Sequence, residues 1–126
     1  MIEFEHVGKT YPGGATAVED FSLIVPSHRA VVLVGSSGSG KTTLLRMVNR
    51  MVDPTEGRVL IDGEDVRDRD PVTLRRSIGY VMQQGGLLPN LTVADNVAMV
   101  PILNHVPRRE ARQQALGQLE RVGLDP

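Results

Sequence analysis

The sequence predicts an α/β fold in which a short buried strand empties into a glycine-rich loop and a helix. Three observations carry that expectation. Residues 30–34 read Ala-Val-Val-Leu-Val, a continuous apolar run suited to a strand covered on both faces, as in a parallel sheet. Residues 35–43 read Gly-Ser-Ser-Gly-Ser-Gly-Lys-Thr-Thr. Beyond them Leu44, Leu45, Val48 and Met51 recur at helical spacing, within a helix expected from about Lys41 to Arg50.

The other elements follow in chain order. Ile2, Phe4 and His6 alternate with Glu3 and Glu5, the pattern of a half-buried strand. Tyr11 to Gly14 holds one Pro and two Gly and reads as a turn. Val18 to Val25 is a second strand, with Phe21, Leu23 and Val25 on its core face. Asp53 to Gly57 is a turn cluster, and Val59 to Ile61 a strand closed by the hairpin pair Asp62-Gly63. The acid-rich stretch from Asp62 to Asp70 reads as a solvated loop. Thr73 to Ser77 suits one helical turn, and Ile78 to Met82 another short strand. Gln83 to Asn90 is a Gly/Pro loop. Thr92 can cap a helix through Val93, Val97 and Val100, with Asp95 at its third position. Pro107 to Val122 reads as an amphipathic helix with Leu116, Leu119 and Val122 on one side, stopped by Gly123. His28 and His105 read as surface turn residues.

Bulk composition narrows the function classes. The chain has 126 residues, 40% of them apolar, and a net charge of −1, ordinary values for one globular domain. Nothing in that balance calls for a polyanion, and two Phe, two Tyr and no Trp make no platform for stacking bases. Nucleic acid is therefore not an expected partner. With no cysteine, disulfides and thiolate metal sites are excluded. The densest apolar run is far shorter than the roughly 20 residues of a membrane span. A cytoplasmic location is the expectation.

The chemistry concentrates in the glycine-rich loop, which fits the full G-x-x-x-x-G-K-[ST] pattern of a P-loop. Gly35, Gly38 and Gly40 let the backbone take positive φ and approach phosphates closely. The N–H groups of Gly35, Ser36, Ser37, Gly38, Ser39, Gly40, Lys41, Thr42 and Thr43 then form an anion nest ahead of a helix start, where the dipole favours negative charge. Lys41 adds a point charge at the terminal phosphates, and Thr42 offers a hydroxyl to magnesium. Only Lys9 and Lys41 are lysines among fourteen basic residues, and one of them occupies this position. A nucleoside triphosphate with magnesium is the expected ligand.

Kinases, GTPases, motors and transporter ATPases share such a loop, and the flanking residues choose among them. Phe4-Glu5-His6-Val7 with Lys9-Thr10-Tyr11, Arg58 through Gly63, and Ile78-Gly79-Tyr80-Val81-Met82-Gln83 occur in that order. Leu87-Leu88-Pro89, Leu91-Thr92-Val93, Asp95-Asn96-Val97 and Val122-Gly123-Leu124 follow. Together they resemble the N-terminal half of an ABC-transporter ATPase across essentially the whole chain. The resemblance implies an incomplete cassette. Residues 1–90 would be the core, with an antiparallel β part, the P-loop strand and helix, and the glutamine loop. Residues 91–126 would begin a helical subdomain. It also implies ATP and Mg2+ as ligands, Tyr11 stacked on the adenine, and Gln83 as the glutamine-loop residue at magnesium or the attacking water. The partners would be a second ATPase subunit and transmembrane permease subunits, the latter met by residues from Gln83 to Val93. The protein would then sit peripherally at the inner face of the cell membrane.

Gln83-Gln84-Gly85-Gly86-Leu87, Asn49-Arg50-Met51 and Asp68-Arg69-Asp70-Pro71 resemble the subgroup importing glycine betaine, choline and related osmoprotectants. Ser36 stands where the family often has Pro, and His28 where it often has Gly. Asp62 ends an apolar strand as a magnesium-binding Asp would, but Gly63 marks a hairpin instead. No Leu-Ser-Gly-Gly-Gln signature, apolar strand ending in Asp-Glu, or later switch histidine occurs in the 126 residues. The expectation is a fragment that holds nucleotide without family-like turnover. The ATPase of another ABC importer, a soluble ABC protein, a non-catalytic binding module and a P-loop phosphotransferase stand as the alternatives.

Overall fold

The computed structural model describes residues 1–124, which fall into two compact units, Met1–Ile78 and Gly79–Pro126. The division falls ahead of the expected 90/91 boundary and places Gln83 in the second unit.

The first unit is a four-stranded antiparallel sheet, in the order β2-β1-β3-β4, with α1 and α2 beside it. Strand β1 (Ile2–Thr10) turns through residues 11–15 into β2 (Thr16–Val25). The turn is closed by Gly14 N donating to Tyr11 O at 3.0 Å and Tyr11 N donating to Ala15 O at 2.9 Å. Three register shifts shape this hairpin. Phe4 faces Leu23 but Val7 faces Phe21, so β1 carries an extra residue; Lys9 then faces Val18 and Thr10 faces Thr16, so β2 carries an extra residue at each of those steps. The extra turns fall at His6 (φ 47°) and Asp20 (φ 40°). His6 is therefore exposed, and Val7 takes the inward place that alternation assigned to it. Likewise Val18 is buried on β2, while Phe21, Leu23 and Val25 are half-buried.

Strand β3 (Glu56–Ile61) pairs with the other edge of β1, and Asp62-Gly63 turns it into β4 (Glu64–Asp65). Both turn residues have positive φ, 52° and 83°, as in a type I′ hairpin turn. The Asp62 carboxylate accepts from the Met1 ammonium at 2.5 Å, which lowers its pKa. That pairing fits the hairpin reading.

Helix α1 (Lys41–Val48) buries Leu44 and Met47 in a core with Phe4, Val7, Val18, Val59, Val66 and Leu74. Phe4 and Phe21 meet edge to face at 5.6 Å. The buried stripe of α1 thus runs through Met47; Leu45 and Met51, expected on it, are exposed. The helix also ends at Val48, short of Arg50.

Two expected strands do not form. Residues 30–34 and 78–82 have no ladder partner, and Val32, Val34 and Val81 are 80%, 90% and 95% exposed. An apolar run becomes a strand only when neighbours take its N–H and C=O groups. Among the described residues neither run has such a neighbour.

The acid-rich stretch is more ordered than a solvated loop. A 3₁₀ turn (Val66–Asp68) buries Val66, and α2 (Pro71–Arg76) starts from an Asp70 cap that accepts from Thr73 N at 2.8 Å. Arg50 Nη1 donates to Arg67 O and Arg69 O, tying the stretch to the end of α1. Asp65 caps the 3₁₀ turn, accepting from Arg67 N at 2.9 Å and Arg67 Nη2 at 2.8 Å.

The Arg67 guanidinium holds the Asp65 carboxyl below its usual range, outweighing the opposing effect of burial. A carboxylate with a depressed folded-state pKa stabilises the fold above its unfolded value of about 3.9 and loses that contribution as pH falls through the folded value. Stability of the chain is therefore expected to drop below about pH 4. In Asp65→Asn the midpoint of thermal unfolding should be lower at neutral pH and should fall less on acidification. Parallel pH profiles for the two proteins would show that the pair contributes nothing. Asp62 and Asp70 are shifted in the same direction, so the variant should keep part of the acid response.

The second unit is a helix pair. Thr92 caps α3 (Val93–Leu103), accepting from Asp95 N at 3.1 Å. Helix α4 (Arg108–Arg121) packs on it. The buried face of α4 is Ala111, Ala115 and Leu119, and the two alanines pack with Ala98 of α3. Leu116 and Val122 were expected on that face; Leu116 is half-buried and Val122 exposed. Small side chains let helix axes approach closely, so the alanines form the seam. Of the expected second domain, Asp125 and Pro126 lie outside the described residues.

Candidate nucleotide phosphate site

The loop from Gly35 to Gly40 folds around its own lysine, with Gly38 and Gly40 at positive φ but Gly35, expected there too, at ordinary φ. Lys41 Nζ donates to Gly35 O at 2.8 Å, Ser36 O at 2.5 Å and Ser39 Oγ at 2.9 Å. Ser39 N donates to Ser36 O at 3.3 Å, closing the turn. Gly40, with φ 84°, is the N-cap of α1 and makes no side-chain cap, so the first N–H groups of the helix have no local carboxylate or hydroxyl cap. Such a helix start attracts anions through its free donors and its dipole.

A cleft of about 150 Å³ opens here, lined by Ala17, Gly38, Ser39, Gly40, Lys41, Thr42 and Thr43. The structure thus brings six of the nine expected loop residues to one wall; Gly35 and Ser36 stand behind it as acceptors for Lys41. An ammonium, a helix start and two threonines around one hollow suit a polyphosphate. No cluster of three or more His, Cys, Asp or Glu able to hold a metal occurs among the described residues. A magnesium ion here would depend on Thr42 and on the phosphates themselves, its usual manner in nucleotide sites.

A larger hollow of about 490 Å³ lies along α3 and α4, lined largely by aliphatic residues such as Leu91, Met99 and Ile102. The phosphate reading stays with the smaller cleft, because only that one combines a helix start with the lysine.

Tyr11 is exposed in the turn that leads into β2, the strand that supplies Ala17 to the cleft. Lys9 Nζ sits over its ring, 5.2 Å from the centroid, and also donates to Asp53 O at 2.7 Å. One face of the ring is therefore occupied by a cation. Gln83 is exposed in the irregular stretch of the second unit. That stretch is tied to α3 by Asn96, whose Oδ1 accepts from Leu88 N at 2.7 Å and whose Nδ2 donates to Leu88 O at 3.1 Å.

One contributor to the cleft escapes the sequence reading: Ala17 lines it from a strand distant in sequence, and nothing local marks it. Asn96, outside the cleft, bonds nearby backbone as an Asn in a helix's first turns tends to do.

A glycine loop wrapped around a lysine at a helix start defines a P-loop protein. The pattern of the ABC transporter family matches residues 18–126, and the chain belongs to that family. It is 42% identical over 126 residues to the choline transport ATP-binding protein OpuBA of Bacillus subtilis, covering all of this chain and 33% of that protein. It is 44% identical to the carnitine transport ATP-binding protein OpuCA of Listeria monocytogenes (98% and 31% covered). It is 46% identical to the osmoprotectant import ATP-binding protein OsmV of Salmonella typhimurium (99% and 34%). The ATP-binding cassette MJ0796, solved as a dimer in a post-hydrolysis state bound to ADP and Pi, superposes with a TM-score of 0.87 at 33% identity. That match covers 99% of this chain and 58% of the cassette. The chain spans about a third of the length of these curated relatives. No helix among the described residues is long and apolar enough to cross a membrane.

Proposed function

We propose that this chain binds ATP with Mg2+ at the Lys41 loop and forms part of the ATP-hydrolysing subunit of an importer for quaternary-amine osmoprotectants such as glycine betaine, choline or carnitine. The observation that carries the ATP part is the cleft at the start of α1, with Lys41 at its centre. Lys41 would meet the terminal phosphates, Thr42 would hold the metal, and the loop N–H groups would take the remaining oxygens. Bound magnesium neutralises charge on the phosphates during transfer. Gln83 would approach the metal or the attacking water, and Tyr11 would stack on adenine with the ring face that Lys9 leaves open.

The osmoprotectant part is supported by the names of the relatives alone. Methionine import ATP-binding protein MetN 1 of Pseudomonas syringae is also 43% identical over 131 residues, so identity level does not single out a solute. ATPase pairing is supported by the dimeric cassette MJ0796. Permease subunits would be met by residues from Gln83 to Val93, whose end is braced by Asn96, and would hold the protein at the cytoplasmic face of the membrane.

The test is calorimetric titration of the purified chain with ATP–Mg, beside adenosine. We expect saturable ATP–Mg binding, competition by pyrophosphate and little heat from adenosine. Absence of ATP–Mg binding would overturn the nucleotide reading.

A further inference from the structure

We infer that the Ser39 hydroxyl is a latch that holds Lys41 inside the ligand-free loop and thereby lowers the affinity of the loop for polyphosphates. The inference rests on the nucleotide reading above and adds a positioning residue to it. A lysine ammonium has three N–H donors and no acceptor. Here all three have acceptors: Gly35 O, Ser36 O and Ser39 Oγ, at 2.8, 2.5 and 2.9 Å. The ammonium is thus satisfied without any phosphate. A phosphate oxygen can receive an N–H from Lys41 only after one of these bonds is given up.

The three acceptors are not equivalent. Gly35 O and Ser36 O belong to the backbone of the loop and move only if the loop moves. Ser39 Oγ sits on a single rotatable bond, and a hydroxyl can satisfy itself by other means once Lys41 leaves. It is the bond that exchange with phosphate breaks first. Its position is set by space as well. A Cβ built on Gly35 would lie 2.7 Å from Ser39 Oγ, so the hydroxyl fills the room that the missing side chain at 35 leaves. Ser39 also lines the cleft beside Lys41, so the exchange happens where the phosphate arrives.

The sign of the effect separates a latch from a structural part. A residue that merely shapes the loop weakens binding when truncated. A latch strengthens it, because only the ligand-free state loses a bond. Ser39→Ala is therefore expected to bind ATP–Mg about three- to tenfold tighter than the unaltered chain, the scale of one net hydrogen bond to an exposed charged group. Pyrophosphate should tighten by the same factor, since the latch acts on phosphate entry. Ser39→Thr keeps the hydroxyl and should stay near the unaltered affinity. All three proteins are titrated under the same conditions, with thermal unfolding confirming that each is folded. Equal or weaker binding by Ser39→Ala, with the unaltered chain binding normally, overturns the latch and leaves the nucleotide reading standing. Tightening in Ser39→Thr as large as in Ser39→Ala also overturns it, because the hydroxyl would then not be the cause. No binding by the unaltered chain overturns the nucleotide reading, and the latch with it.

Discussion

Lys41→Ala is expected to lose ATP–Mg binding by a factor of roughly 30 to 1,000, the loss of about 2–4 kcal/mol that follows from removing charge-assisted hydrogen bonds to phosphate. Two effects act together. The variant loses the one ammonium in the cleft, and it also releases Gly35 O, Ser36 O and Ser39 Oγ, which Lys41 now gathers. The loop thus loses its ligand contact and its internal brace. Because Lys41 itself is only partly buried, its released acceptors can turn to water, so global stability should change little. Titration beside thermal unfolding separates the two effects. Lys41→Arg should also bind poorly, since the loop is folded around a compact ammonium and a larger planar guanidinium does not fit that place. Affinity within threefold of the unaltered chain in Lys41→Ala would remove Lys41 from the site.

The phosphate loop of the candidate site was legible in the sequence because its geometry is local. Residues 35–40 build the loop from their own backbone, and α1 starts at once at Lys41. The Asp62-Gly63 turn and the Thr92 cap with Asp95 were readable for the same reason. What escaped depends on distant residues. The bulges at His6 and Asp20 and the further shift between Lys9 and Thr10 change the inward residues partway along each strand, and no local residue pattern marks them. The seam of α4 is built from alanines, which a search for large apolar residues passes over. Residues 30–34 have strand composition, yet a strand is a property of its neighbours, and none of the described strands pairs with them. The roles expected of Gln83 and Tyr11 come from family resemblance, and neither has a local geometric signature.

Gly38 and Gly40 allow a sharper separation of fold from site, because both have positive φ, 81° and 84°, but differ in the space around them. A Cβ on Gly40 would lie 2.4 Å from Ala17 O and 3.0 Å from Val18 Cγ2. The carbonyl belongs to β2, and Val18 is a core residue, so neither can retreat cheaply. Gly40→Ala must therefore push the start of α1 away from the sheet. The left-handed conformation costs about 1–2 kcal/mol, and forced overpacking about 1–3 kcal/mol more. We expect thermal unfolding to fall by about 10 °C or more, with ATP–Mg binding lost because the helix start no longer faces the cleft wall at Ala17. At Gly38 a Cβ meets nothing within 4 Å. Gly38→Ala should carry the conformational cost alone, a fall of roughly 3–10 °C. Its methyl would nonetheless enter the cleft that Gly38 lines, so binding should weaken by tenfold or more while the fold persists. If Gly40→Ala unfolds no earlier than Gly38→Ala, the close approach of the loop to β2 does not hold in solution. If Gly38→Ala binds ATP–Mg as the unaltered chain does, the phosphates do not enter on that side of the loop.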